Sequence, residues 1–229
     1  MKVKAPFIFL VIIICILALP FSSQANNIWQ AELFGGSAFN LMLPLNIEQA
    51  GEEDINIQRA RFDTNPLDST PYYSIRLARW QDEKSWEFEL LHHTLYLSEK
   101  QLEQYDSIDR FTITHGYNLT TINRGWKIDE AIVRVGAGVL IAYPHFTIRG
   151  DRYPSDEGML DTGFHLVGPT AQVSLGNQVD LTENFYLALE GKVTATHGEI
   201  TFSDGDYRDL KAEVPNIAIH GLIGLGFNF

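Results

Sequence analysis

From Trp29 onward the chain repeats one pattern, apolar and polar residues alternating with period two, which is the signature of strands with one face apolar and one polar. Trp29, Ala31 and Leu33 oppose Gln30 and Glu32 up to Gly35-Gly36. Tyr73, Ile75 and Leu77 oppose Ser74, Arg76 and Ala78, and the turn Gln81-Asp82-Glu83-Lys84 leads to Trp86, Phe88 and Leu90 against Glu87 and Glu89. A fourth strand is expected from about Arg110 to Asn123. A fifth runs from about Ala131 to Tyr143, with Val133, Val135, Val139 and Ile141 against Arg134, Gly136, Gly138 and Ala142. Ala171, Val173 and Leu175 alternate with Thr170, Gln172 and Ser174, and Leu187, Leu189 and Val193 with Glu190, Lys192 and Thr194. The last strand carries Ile217, Ile219, Ile223, Leu225, Phe227 and Phe229 on one face, His220, Gly224, Gly226 and Asn228 on the other.

The pattern predicts eight strands joined alternately by long and short connections. The long ones are Ser37 to Thr70, with extended pieces at Leu45 to Gln49 and Ile55 to Phe62, then Ser98 to Asp109, Phe146 to Gly163 and Thr201 to Val214. An all-β, eight-stranded antiparallel transmembrane barrel with long extracellular loops and short periplasmic turns has this spacing. A secreted sandwich or lipocalin-like barrel also alternates, but buries its apolar face. Here the polar face carries Arg76, Glu87, Glu89, Arg134, Glu190 and Lys192 near mid-strand, where opposite charges pair inside a narrow barrel while the apolar face meets lipid. Trp29, Trp80, Trp86, Trp126, Tyr186, Phe227 and Phe229 fall near the expected periplasmic ends, as an interfacial girdle requires. Eight strands leave no open aqueous channel, which argues against a general porin. A small-molecule conduit keeps some room beside Gly136, Gly138, Gly224 and Gly226.

The first 25 residues read as a cleaved export signal and 26–229 as the barrel: Lys2 and Lys4, an apolar run from Pro6 to Pro20, then Ser22-Ser23-Gln24-Ala25. The sole cysteine, Cys15, lies in that signal, so the expected mature chain has no disulfide or thiolate chemistry. Losing Lys2 and Lys4 takes the net charge two units below the −12 of the whole chain. That balance excludes nucleic acid as a partner. The expected location is the bacterial outer membrane. The expected partners are its lipids and lipopolysaccharide, together with the barrel assembly machinery, met through the C-terminal strand ending at Phe229.

There is no phosphate-binding loop, no G-x-S-x-G elbow and no H-E-x-x-H motif. The histidines are the candidate chemistry. His93, His115, His145, His165 and His197 fall one per strand on five consecutive strands, toward the outer half, with His92 and His220 in addition. Imidazoles near carboxylates bind zinc, iron or copper without cysteine. Parity puts His93 and His220 on the lumen face, and His115 and His197 on the lipid face unless a bulge intervenes.

Several stretches together resemble the small outer-membrane lipid A oxidase-like proteins: Pro71-Tyr72-Tyr73-Ser74-Ile75-Arg76, Leu91 to Leu97, Thr114-His115-Gly116-Tyr117-Asn118-Leu119, Gly136-Ala137-Gly138-Val139 with Pro144-His145, His165 to Gln172, and Gly226-Phe227-Asn228-Phe229. The resemblance implies an enzyme at the outer leaflet that uses oxygen to convert the proximal glucosamine of lipid A into an aminogluconate unit. Oxidising a sugar hemiacetal needs a base and a two-electron acceptor, and without flavin or nicotinamide motifs this points to a divalent redox metal. His93, His115 and His145 are then the candidate ligands or bases, with Asn118 as a polar neighbour. The alternative is a non-enzymatic structural or surface-interaction barrel that binds lipopolysaccharide or a partner through its loops. The first reading expects the histidines to converge on one cavity open to the outer leaflet. The second expects them to point apart above a closed interior of ion pairs.

Overall fold

The computed structural model describes residues 27–67, 71–153, 163–203 and 208–229, apart from the side chain of His115. The expected export signal and parts of three expected outer loops lie outside the described residues. Twelve strands follow in order: β1 (Asn27–Asn40), β2 (Leu43–Gln49), β3 (Ile55–Ala60), β4 (Phe62–Asp63), β5 (Tyr73–Gln81), β6 (Lys84–Leu97), β7 (Ile108–Ile128), β8 (Ala131–Ile148), β9 (Asp151–Tyr153), β10 (His165–Asp180), β11 (Phe185–Phe202) and β12 (Leu210–Asn228). One helical turn, α1 (Glu99–Leu102), precedes β7.

Eight of the strands form a closed antiparallel ring in the order β1-β5-β6-β7-β8-β10-β11-β12, with β12 pairing back onto β1 from Asn40↔Ala218 to Gln30↔Asn228. Closure removes the sheet edges that neither lipid nor an isolated sheet tolerates. At the end holding both described termini the turns are tight. Asp82 and Asp129 take positive φ of 53° and 54° in two-residue hairpins, the backbone that such turns need to match strand twist.

The alternation sorts side chains as expected. Ile75, Leu33, Phe88, Ile122, Val135, Leu175, Leu189 and Ile223, one from each strand of the ring, stand exposed on the outside. Their neighbours Glu32, Arg76, Glu89, Asn123, Arg134, Ser174, Glu190 and Lys192 are buried inside. From Trp86 to Tyr96 on β6 is ten residues; at about 3.3 Å each and a tilt of about 40° they rise roughly 25 Å, the height of an outer-membrane apolar band.

Two of the expected girdle aromatics are elsewhere. Trp80 and Tyr186 are buried in the lumen. They share parity with Arg76 and Lys192, and Tyr186 donates a hydrogen bond to Glu32 Oε1 at 3.0 Å. Trp86 and Phe185 do stand outside.

The strands run farther outward than expected, because the wall continues above the band. β2 carries on the line of β1, pairing with β12 from Asn46↔Glu213 to Leu210↔Gln49 after a slip of one residue. The chain then turns back through β3, and β4 reaches β6 at Phe62↔Leu97. The sequence therefore builds a second storey whose interior is apolar: Leu45, Ile47, Ile57, Leu95, Phe111, Phe146, Ile148 and Phe202 are buried in one cluster. Phe111 and Phe146 stack with centroids 4.0 Å apart. Each such side chain contributes about 1.5–3 kcal/mol by leaving water, so this extension is a folded part of the molecule.

Candidate functional site

At membrane height the lumen is filled by one ion network. Arg76 lies at its centre, donating from Nη1 to Glu32 Oε2 (2.8 Å), from Nη2 to Glu190 Oε1 (2.7 Å) and from Nε to Glu89 Oε2 (3.3 Å). Arg134 donates to Glu87 Oε2 at 2.9 Å and to Glu190 Oε2 at 3.0 Å. Lys192 pairs with Glu89 and, at 3.2 Å, with Glu190. Ser74, Asn123 and Gln172 add hydrogen bonds to Glu89 at 2.7, 3.0 and 2.8 Å. Three cations thus answer four carboxylates, all buried, with amides and hydroxyls filling the remaining acceptor positions, as low-dielectric burial demands.

The glycines on the lumen face leave no room for a conduit. A Cβ on Gly226 would stand 2.1 Å from the Tyr186 ring, one on Gly224 2.6 Å from that of Phe34, and one on Gly136 1.7 Å from Asn123 Oδ1. These glycines exist so that large side chains from neighbouring strands can cross the barrel.

Above the network sits a layer of rings. His220 is hydrogen-bonded to Tyr72 through Nδ1 and to Thr194 through Nε2, both at 2.9 Å. His93 lies edge-on to His220 and to Tyr117, at 5.4 and 4.9 Å between centroids, fully buried and with no hydrogen-bond partner on either nitrogen. Tyr117 in turn is hydrogen-bonded to Thr196.

The candidate residues divide between the two faces of one wall. His93 faces the lumen. Asn118 is half-buried on the outward face, where its Oδ1 accepts at 2.8 Å from His92 Nδ1, and Tyr73 stacks on His92 with centroids 4.8 Å apart and planes within 10°. The three are cross-strand partners on β5, β6 and β7, so they share that face. His145 is also outward, its ring 5.1 Å from that of Tyr143, in the row Tyr96↔Thr112↔His145. The backbone of His115 lies in a bulge, since register slips between Ile113 and Tyr117 and Gly116 adopts φ 139°. His93 and His145 thus lie on opposite faces. His92, in the sequence only an addition to the candidate histidines, shares parity with Leu90 and Phe88, and that parity is the signal of its outward face.

Among the described residues the donor set does not fit a redox metal. Both nitrogens of His220 are occupied by hydroxyls, which leaves His93 without a second imidazole to share an ion. Among the described residues no three His, Asp or Glu side chains are grouped to hold one.

Outside the wall, directly above Tyr73, His92 and Asn118, a cleft of about 650 Å³ opens between β4, the end of β6, α1 and β7. Tyr96 and Thr112 form its back, Arg61, Asp63 and Asn65 one side, and Lys100, Gln101 and Gln104 the other. Gln101 fixes its geometry by bonding the backbone of the facing segment, accepting from Arg61 N–H at 2.5 Å and donating to Arg59 C=O at 2.7 Å.

The closed ring, the sealed polar lumen and the apolar outer face together decide where this molecule resides. The chain is an outer-membrane β-barrel. No protein-family model and no curated protein matches it. Among solved structures it is similar to Ail, the attachment invasion locus protein of Yersinia pestis, at 12 % identity over 89 % of this chain and 99 % of that one, TM-score 0.41. It is similar also to neisserial surface protein A (10 %, 91 % and 100 %, 0.42) and to the outer-membrane protease OmpT of Escherichia coli (10 %, 92 % and 99 %, 0.35). The membrane assignment rests on the barrel's own surfaces rather than on these likenesses.

Proposed function

We propose that this chain is a non-catalytic surface barrel that holds the lipopolysaccharide layer through the outer face of its extracellular storey. The observation that carries the reading is the filled interior. Among the described residues, an ion-paired layer at membrane height and an apolar core above it leave neither a path nor a reaction chamber. What remains for function is the outside of a rigid wall that rises past the apolar band.

A second reading, oxidation of the proximal glucosamine of lipid A, is supported by one feature. His92 and Asn118 are hydrogen-bonded on the lipid-facing side. An amide oxygen that accepts from Nδ1 fixes the orientation and tautomer of the ring, the way a general base is held.

One comparison separates the two readings: mass spectrometry of lipid A from cells with and without the protein, in air and without oxygen, alongside assay of lipopolysaccharide retained by the purified barrel. Unchanged masses with lipopolysaccharide retained are expected. A gain of one oxygen that requires both protein and air overturns the non-catalytic reading.

A further inference from the structure

The lipid-facing surface is not uniform around the barrel. At corresponding heights β8, β10, β11 and β12 present Val139 and Ile141, Val173, Val193 and Ile219, all aliphatic. On β5, β6 and β7 the same band carries Tyr73, His92, Asn118 and Thr120. Polar groups on a lipid face cost stability, and they are hydrogen-bonded and stacked here rather than scattered. Four residues farther along β6, about 13 Å of strand, Tyr96 opens into the 650 Å³ cleft. The polar strip and the cleft are therefore one continuous track on one wall, rising from the outer half of the apolar band to just above it.

We propose that this track binds one phosphorylated glycolipid of the outer leaflet. Its acyl chains lie on Ile75, Phe88, Leu90 and Ile122 below, and its saccharide passes over Tyr73, His92 and Asn118 into the cleft. Three kinds of group match such a headgroup. Tyr96 offers a ring to a sugar face, and the amides of Asn65 and Gln104 offer paired donors and acceptors to hydroxyls. Lys100 and Arg61 supply cations for phosphate. Arg61 already shares Asp63 at 3.3 Å, whereas Lys100 forms no ion pair among the described residues. Asp63 and Glu99 line the same cleft, so its two cations are matched in number by acids, and Lys100 is the cation placed to meet a phosphate. The inference rests on the lipopolysaccharide-holding reading and narrows it to one wall.

The test is native mass spectrometry of the full chain refolded in detergent, with bis-phosphorylated lipid A as the added probe and the dephosphorylated form as comparison. Heat-modifiable mobility on gels verifies folding of each variant. A one-to-one adduct is expected, weakened about tenfold by Lys100→Ala with Arg61→Ala, and likewise by His92→Leu with Asn118→Leu, because each removes charge-assisted or polar contacts. Lys211→Ala, on the opposite wall, leaves binding unchanged. Dephosphorylated lipid A binds the wild type no better than the phosphorylated form binds the Lys100 and Arg61 variant. Equal binding by wild type and both wall variants overturns the track while leaving the broader reading standing. Absence of any adduct with the wild type overturns both. A wild-type dimer that His92→Leu with Asn118→Leu dissociates also overturns it, because the strip is then covered by a second copy.

Discussion

Replacing Arg76 by methionine tests whether the lumen is held by its charges. The side chain is fully buried, donates to Glu32, Glu89 and Glu190, and lies 5.0 Å above the ring centroid of Phe34. Methionine keeps most of the volume but leaves two cations facing four carboxylates. Breaking a buried ion pair from one side costs about 3–5 kcal/mol, because the abandoned charge stays buried. The same reasoning expects relief when the surplus charge is removed: Arg76→Met with Glu190→Gln restores the wild-type balance of one excess carboxylate. The double variant should recover about 1–3 kcal/mol relative to the sum of the single changes, the usual coupling of groups in one network. Urea unfolding in phospholipid vesicles followed by tryptophan fluorescence, with heat-modifiable mobility as a second readout, measures both. A single variant within about 0.5 kcal/mol of wild type, or a double variant no better than the sum of its parts, refutes the idea that this network organises the lumen.

Three further outcomes follow from particular contacts. Gly226→Ala puts a methyl against the buried Tyr186 ring, which Glu32 holds in place, so overpacking of about 1–3 kcal/mol is expected in the same unfolding assay. Gln49→Ala removes hydrogen bonds to Asp151 Oδ2 and Tyr153 Oη, both 2.9 Å, and the acceptor that Arg149 uses at 3.0 Å; hydrogen exchange should quicken in β2 and β9 while the membrane strands keep their protection. Above the apolar band, Lys211 and then Asn46 hydrogen-bond the Glu213 carboxylate and hold its pKa below the ordinary value. A lowered carboxylate pKa adds stability above its unfolded value and loses it as pH falls through the folded one, so Lys211→Ala should move the Glu213 titration upward in a carbon-detected NMR experiment.

The fold was legible because a barrel in lipid has one rule, and every strand of the ring obeys it at membrane height, short of the outer register slips. Leu33, Val135 and Ile223 read as outward and Glu32, Arg134 and Lys192 as inward from parity alone, and closure followed from an even count with alternating connection lengths. Trp80 and Tyr186 were legible too. Their parity places them with Arg76 and Glu190, against the preference of aromatic rings for the membrane interface. The second storey was only half visible: Leu45 to Gln49 and Ile55 to Phe62 read as extended, yet nothing local says that β2 will prolong β1 along β12 rather than stand as a separate hairpin.

The candidate site lay where the period-two rule breaks. Register slips between His93 and Leu95 on β6 and between Ile113 and Tyr117 on β7, and a slip of this kind decides the face of every residue beyond it. Counting from the tight turns, parity is secure through His93 on β6, Tyr117 on β7 and the whole of β8, so it already sets His93 inward and His145 outward on opposite faces; only residues beyond the slips on β6 and β7 escape it. Gly116, at φ 139°, is the one residue whose type announces the bulge. The three stretches singled out around Tyr73, His92 and Asn118 do meet, but on the lipid side. On this wall three adjacent strands give up aliphatic cover next to the break in its own register, and the stacked rings and the hydrogen-bonded amide offset part of the cost of facing the apolar band.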